Sequence, residues 1–271
     1  MTAPERNASP IFLKLGGSLI TDKTQFEMIR ADVLARVAHE IAAARQANPD
    51  LKILLGHGSG SFGHTHASQH GTRQGVQSAE QWAGFTAVSD SALRLNRIVV
   101  KALLTAGIPA ISISPSASAI VSDGEITSMA TESLTAALSA GLVPVIHGDV
   151  AFDQVRGGTI LSTEEVMGYL VPILQPQAIL LAGETAGVYD AEGEVIPRIT
   201  PLNFDEIKGA LGGSRGADVT GGMAAKVQDV LDLAVARPGM QVRIFGGLEP
   251  AVIANLLQGK SLNSGTVVEA A

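Results

Sequence analysis

Short apolar runs bounded by glycine or proline alternate along the chain with longer stretches whose apolar residues recur every three or four positions. Ile11–Leu15, Lys52–Leu55, Ala110–Ile113, Val143–His147, Ala178–Ala182 and Val242–Phe245 are brief and mostly apolar, as parallel strands covered on both faces are. Between them Val33, Val37 and Ile41 mark one helix, and Trp82, Phe85, Val88, Ala92, Leu95 and Val99 mark a longer one. Leu134 with Leu138, Val166 with Leu170 and Leu174, and Val227 with Val230 and Leu231 mark three more. The alternation favours right-handed crossovers and predicts an α/β fold, a three-layer αβα sandwich around a mainly parallel open sheet. Three stretches, 119–128, 151–161 and 187–199, centre on Asp-Gly, Gly-Gly or Glu-Gly pairs and predict antiparallel hairpins at the sheet's edges. A soft division near residue 175 predicts an N-terminal lobe, 1–175, and a C-terminal lobe, 176–271, sharing one continuous sheet.

Composition narrows the class without changing this outline. Apolar residues make up 46% of the 271 positions, ample for a continuous core. A net charge of −7 argues against a nucleic-acid partner, which needs a basic face. No apolar run approaches the roughly 20 residues that span a bilayer, and the first ten residues lack the apolar centre of a signal peptide. Cysteine is absent, which excludes thiolate chemistry and suits a reducing compartment. The expectation is a soluble cytoplasmic protein that works without nucleic acid or membrane.

Glycine carries the candidate chemistry. Gly56-His57-Gly58-Ser59-Gly60-Ser61-Phe62-Gly63-His64 follows one apolar run and can bring backbone N–H groups against an anion. Lys14-Leu15-Gly16-Gly17-Ser18 ends the first strand in the same manner. It matches neither the Walker A pattern nor the dinucleotide fingerprint, and taken alone it fits an ordinary strand-to-helix turn as well as a phosphate cradle. Thr220-Gly221-Gly222-Met223 opens a helical run containing Lys226, either a capped surface helix or an anion site. His57 and His147 stand at strand exits and read as structural, hydrogen-bonded histidines rather than ligands. His64, His66 and His70 show no zinc-ligand spacing, so no metal site is predicted.

Together these segments resemble the amino acid kinase family over nearly the whole chain. Within it they resemble the branch acting on isopentenyl phosphate, through the Lys-Gly-Gly-Ser start, Asp22-Lys23 nearby, the Gly-Ser-Phe-Gly-His run Gly60 to His64, and His147-Gly148-Asp149. The terminal histidine discriminates, because relatives acting on carboxylates lack it. The resemblance implies that ATP binds over the C-terminal half and the phosphate acceptor over the N-terminal half. His64 would hold the acceptor phosphate with N–H groups around Gly58, Ser59 and Gly63, and Thr163 would lie beside the substrate. Lys14 and Lys23 would stabilise the transferring group. Gly16, Gly17, Ser18, Gly60, Glu164 and Gly183 would serve the nucleotide, with Gly221, Gly222 and Lys226 holding it from the far side. Mg2+ would ride on the ATP oxygens, and Phe85 and Val88 would border the acceptor's prenyl tail, whereas Trp82 reads as core.

The chain departs from the family pattern in three places. Glu164 replaces an aspartate that orients the catalytic lysines, Gly183–Val188 loses one acid, and Ser59 replaces a glycine. The resemblance also implies a homodimer. Two alternatives fit the same residues: a kinase of another small phosphate or phosphonate such as fosfomycin, and a non-catalytic nucleotide-binding protein of the same fold.

Overall fold

The computed structural model describes residues 9–63, 71–211, 222–260, 262 and 264–270; the predicted site residues His64 and Gly221 lie outside them. Six strands run parallel, in the spatial order β13 (Gln241–Gly246), β11 (Ala178–Gly183), β1 (Ile11–Leu15), β4 (Ile53–His57), β8 (Val143–His147), β5 (Ala110–Ser112). Two more extend the β13 side: β14 (Thr266–Val268), antiparallel to β13, then β12 (Arg198–Ile199), parallel to β14.

Side chains alternate across this sheet, which accounts for the three layers. Ile11, Leu13 and Leu15 of β1 face one core with Leu55 and Val145, packed under α1 (Gly17–Ile20), α2 (Ala31–Ala47), α3 (Ala79–Thr105) and α8 (Val252–Leu257). Phe12, Leu54, Ile146 and Ile179 face the other, under α4 (Glu132–Ser139), α5 (Thr163–Leu174), α6 (Phe204–Leu211) and α7 (Gly222–Ala236). Ser78 starts α3 and Ser162 starts α5, each with a reciprocal capping box to Gln81 and Glu165. No described helix is long and apolar enough to cross a membrane.

The hairpins differ in placement from the sequence expectation. β6 (Ile120–Ser122) with β7 (Glu125–Ser128), and β9 (Asp149–Asp153) with β10 (Gly157–Leu161), are antiparallel pairs as predicted. They leave the main sheet's edges free, however, and join through a parallel β6–β9 pairing into a separate four-stranded sheet. The buried Asp153 carboxylate fixes that union by accepting the N–H groups of Asp123, Gly124, Val155 and Arg156 at 2.8–3.1 Å. The third stretch reduces to a single antiparallel bridge, Tyr189 to Val195. One further hairpin, β2 (Thr21–Asp22) with β3 (Met28–Ile29), carries Lys23 at its exposed turn.

Candidate active site

The carboxyl ends of β1, β4 and β8 lie side by side, where ligands of open α/β sheets collect. The two glycine loops that leave β1 and β4 pack main chain on main chain. A Cβ on Gly17 would lie 2.3 Å from Gly60 N, and one on Gly58 would lie 3.0 Å from Gly17 N. Gly60 also has φ +50°, and a side chain there would strike Thr21 Oγ1 at 2.0 Å. Thr21 ties the loops together: fully buried, it donates to Gly17 O at 2.8 Å and accepts from Ser61 N at 2.9 Å. The N–H groups of Gly17, Ser18, Ser59 and Gly60 make no hydrogen bond to a described residue. Main-chain donors left without a described partner in glycine-rich turns suit the binding of an anion.

Ser59, where the family has glycine, is accommodated at the expense of its neighbour. Its Oγ would lie 2.2 Å from a Cβ on Gly63, so that position must lack a side chain. Gly63 N in turn donates to Ser59 O at 3.3 Å.

Lys14, the penultimate residue of β1, ion-pairs with Glu164 at the start of α5. Burial raises the Glu164 pKa, but Lys14, its hydrogen bond, the residue's own N–H and the charge of Lys226 outweigh that, and the net shift is downward. Lys226, one turn into α7, therefore acts on the same carboxylate through its charge. The longer side chain at 164 reaches Lys14 without difficulty. Burial, with the charges of Asp232, Glu165 and Glu164, pushes the Asp229 carboxyl up.

Two histidines in register, His57 on β4 and His147 on β8, stack at 5.5 Å with planes 10° apart. His57 is bonded at both nitrogens: Nδ1 to Gly58 O at 3.1 Å and Nε2 to Asn96 Nδ2 at 3.1 Å. Burial, then His147, push its pKa down to about 3 against the Gly58 hydrogen bond, with Lys14 adding a little, so the ring is neutral. His147 is equally buried, yet neither ring nitrogen has a hydrogen-bond partner among the described residues. Asp149 Oδ2 lies 3.5 Å from its Nε2 but out of line, because the carboxylate serves Val150 N at 2.8 Å and Ser116 N at 3.3 Å. The expectation of a hydrogen-bonded structural histidine thus fits His57 and not His147.

The remaining predicted residues fall into separate groups. Thr163 is buried and its hydroxyl donates to His57 O at 2.6 Å, while its methyl covers Gly56. Its hydroxyl proton is committed to the sheet and straps α5 to β4. Gly16 N donates to Ala182 O at 2.7 Å and Gly183 O accepts from Gly247 N at 2.8 Å, which closes the β1 and β11 ends around one floor. Gly222 opens α7. Lys23 is exposed and makes no ion pair among the described residues, though Arg30, at the base of its hairpin, pairs with Glu184 at 2.9 Å. Phe85 and Val88 are buried with Val76 and Val150, joined by Trp82 and Ile160, in an apolar cluster apart from both main cores. It lies between α3 and the small sheet, with Phe85 and Trp82 rings 5.1 Å apart.

Asn96 is the residue that sequence reading passed over. It sits on the buried face of α3 among Ala92, Leu95 and Val99, and a lone amide in such a stripe is itself a signal, since burial obliges it to find partners.

N–H donors without a described partner, two lysines and the half-buried Glu164 carboxylate that both influence suit the movement of a phosphoryl group between two anions, and on this fold they define a phosphotransferase. The amino acid kinase family model matches residues 9–246, and the chain belongs to that family. It is 38% identical over 263 residues to the isopentenyl phosphate kinase of Haloferax volcanii, covering 96% of this chain and 98% of that one. The isopentenyl phosphate kinase of Methanocaldococcus jannaschii is 35% identical over 224 residues, 79% of this chain and 84% of the relative. A solved structure described as isopentenyl phosphate kinase superposes with a TM-score of 0.80 at 29% identity, covering 95% and 99% of the two chains. Membership makes the chain a kinase, and its kinase relatives imply ATP as donor.

Proposed function

We propose that this chain transfers the γ-phosphoryl group of ATP to isopentenyl phosphate, giving isopentenyl diphosphate and ADP. The observation that carries the reading is the back-to-back contact of the two glycine loops at Gly17 and Gly60, a contact that suits two neighbouring anions. An oxygen of the acceptor phosphate attacks the γ-phosphorus, and the bond to the β–γ bridging oxygen breaks and leaves its electrons on ADP. That oxygen is already an anion, so no strong base is needed, and alignment with charge neutralisation does the work.

The acceptor phosphate belongs to Gly58, Ser59 and Gly63 with His64, on the N-terminal lobe 1–175. ATP belongs to Gly16, Gly17, Ser18 and Gly60 of the N-terminal lobe together with Gly183, Gly221, Gly222 and Lys226 of the C-terminal lobe 176–271. Lys14 and Lys23 face the transferring group, with Glu164 orienting Lys14. Mg2+ would supply charge neutralisation at the ATP oxygens. The cluster of Phe85, Val88, Val150 and Ile160 supports an apolar tail beside the phosphate.

A homodimer is supported by the outer strand β5, unpaired on its far side, and by Ile111, Leu93 and Leu104 exposed around it. The lack of cysteine and the use of ATP support a cytoplasmic site of action.

Coupled-assay turnover with isopentenyl phosphate, fosfomycin and uridylate tests the reading. The highest kcat/KM is expected for isopentenyl phosphate, and a preference for either rival overturns it. Phe85→Ala should open the tail site and admit longer prenyl phosphates, at a stability cost of about 3 kcal/mol. An unchanged chain-length preference in a folded variant would remove Phe85 from that site.

A further inference from the structure

A buried polar chain joins the outermost strand of the main sheet to the glycine loop. Ser112 Oγ, on β5, donates to Asn96 Oδ1 at 2.5 Å; Asn96 Nδ2 meets His57 Nε2 at 3.1 Å; His57 Nδ1 meets Gly58 O at 3.1 Å. Chemistry fixes each direction. A carbonyl oxygen only accepts, so Nδ1 carries the proton, and a neutral imidazole then presents a lone pair at Nε2. That lone pair requires a donor, which orients the Asn96 amide and turns its oxygen to the Ser112 hydroxyl.

The main chain beside it is bonded group by group. His57 O accepts from Thr163 Oγ1 at 2.6 Å and Gly148 N at 3.2 Å, and Gly58 N donates to Leu15 O at 3.0 Å. The next peptide, Gly58 to Ser59, is held at one atom among the described residues, its carbonyl oxygen on His57. In a trans peptide the N–H points opposite to the C=O, so a carbonyl turned back onto the ring aims Ser59 N–H away from it. That N–H has no described partner.

We propose that Asn96 is a positioning residue for the acceptor phosphate: by fixing the Nδ1–H tautomer of His57 it pins the Gly58 carbonyl and aims the Ser59 N–H at the phosphate. This rests on assigning the 58–63 loop to the acceptor. The charged and titratable groups facing His57 are Lys14 from β1 and His147 from β8. Glu164 stands behind Lys14 and Asp149 behind His147, while α3 contributes only the neutral Asn96.

Asn96→Asp separates this role from a structural one. The new carboxylate cannot donate to Nε2. A protonated ring would still serve both it and Gly58 O, whereas a neutral ring would give its proton to the carboxylate and turn a lone pair on Gly58 O. The ratio of variant to wild-type KM for isopentenyl phosphate should therefore climb about fivefold as pH rises from roughly 5.5 to 9, the effect of one aligned hydrogen bond. The KM for ATP should not move. Asn96→Leu should raise the acceptor KM at every pH, with circular dichroism confirming a folded protein. A flat ratio in the Asp variant, an equal rise in the KM for ATP, or a lowered Tm with both KM values unchanged would overturn the proposal. Long-range 1H–15N correlation of the His57 ring decides the tautomer without turnover, and protonation at Nε2 in the wild type would also overturn it. Should the wild type fail to use isopentenyl phosphate, the assignment of function falls, and the ring spectrum still reports on Asn96.

Discussion

The ends of β4 and β8 are neighbours and carry the same residue in register, yet they treat it in opposite ways. His57 is bonded at both nitrogens, through Gly58 to a glycine loop and through Asn96 to a helix. His147, stacked against it and as deeply buried, is bonded at neither among the described residues. Burial alone therefore says nothing about whether a polar side chain holds the fold together. What matters is whether removing it strands a partner.

The largest effect should come from His57→Phe, which leaves Gly58 O and Asn96 Nδ2 unpaired in the interior. Urea unfolding should show a loss of about 3 kcal/mol, and a loss below about 1 kcal/mol would mean that the relay is not formed. A smaller effect belongs to the next strand over, where Lys14 is paired with Glu164. Glu164 is held below its ordinary pKa of 4.5 in the folded chain. Its contribution is therefore complete above about pH 4.5 and fades as pH falls through the depressed value. Glu164→Gln should flatten that acid limb by only about 1 kcal/mol, because the carboxylate is 34% exposed. If stability below pH 5 is indifferent to this change, the pair with Lys14 contributes nothing to folding. The smallest effect should be His147→Phe. It removes two polar atoms without a described partner and should change stability by less than about 1 kcal/mol. A loss matching that of His57→Phe would erase the contrast between the two strand ends.

The parallel core was legible in the sequence because its strands are buried on both faces, so each appears as an apolar run cut off by glycine or proline. The helices were legible through their period, α3 most clearly. The pairing of the hairpins was not, since turn chemistry fixes where a chain reverses and leaves open which neighbour the resulting pair will join. That choice rests on Asp153, an acid whose four N–H partners come from two separate turns. The β2–β3 hairpin escaped for another reason: two-residue strands with Phe26 and Met28 exposed leave no alternation to read. At the site, glycine content pointed to both loops, and family resemblance supplied roles for Lys14, Glu164 and Lys226. The strap made by Thr163 was not legible, because a hydroxyl at a helix start suits a ligand or a main-chain strap equally well. The contact between the loops was hidden, because nothing in Gly17 or Gly60 names the other.

That contact has a consequence for how such an enzyme can change. Main chain lies directly on main chain at Gly17 and Gly60, with no side chain between them. The spacing between the two loops is therefore a constant of the polypeptide, comparable to a bond length in its indifference to substitution. Neither loop can slide without dragging the other. Any adjustment of what the enzyme accepts has to be written elsewhere, in the small sheet and the first turns of α3, where side chains meet and volume can be traded.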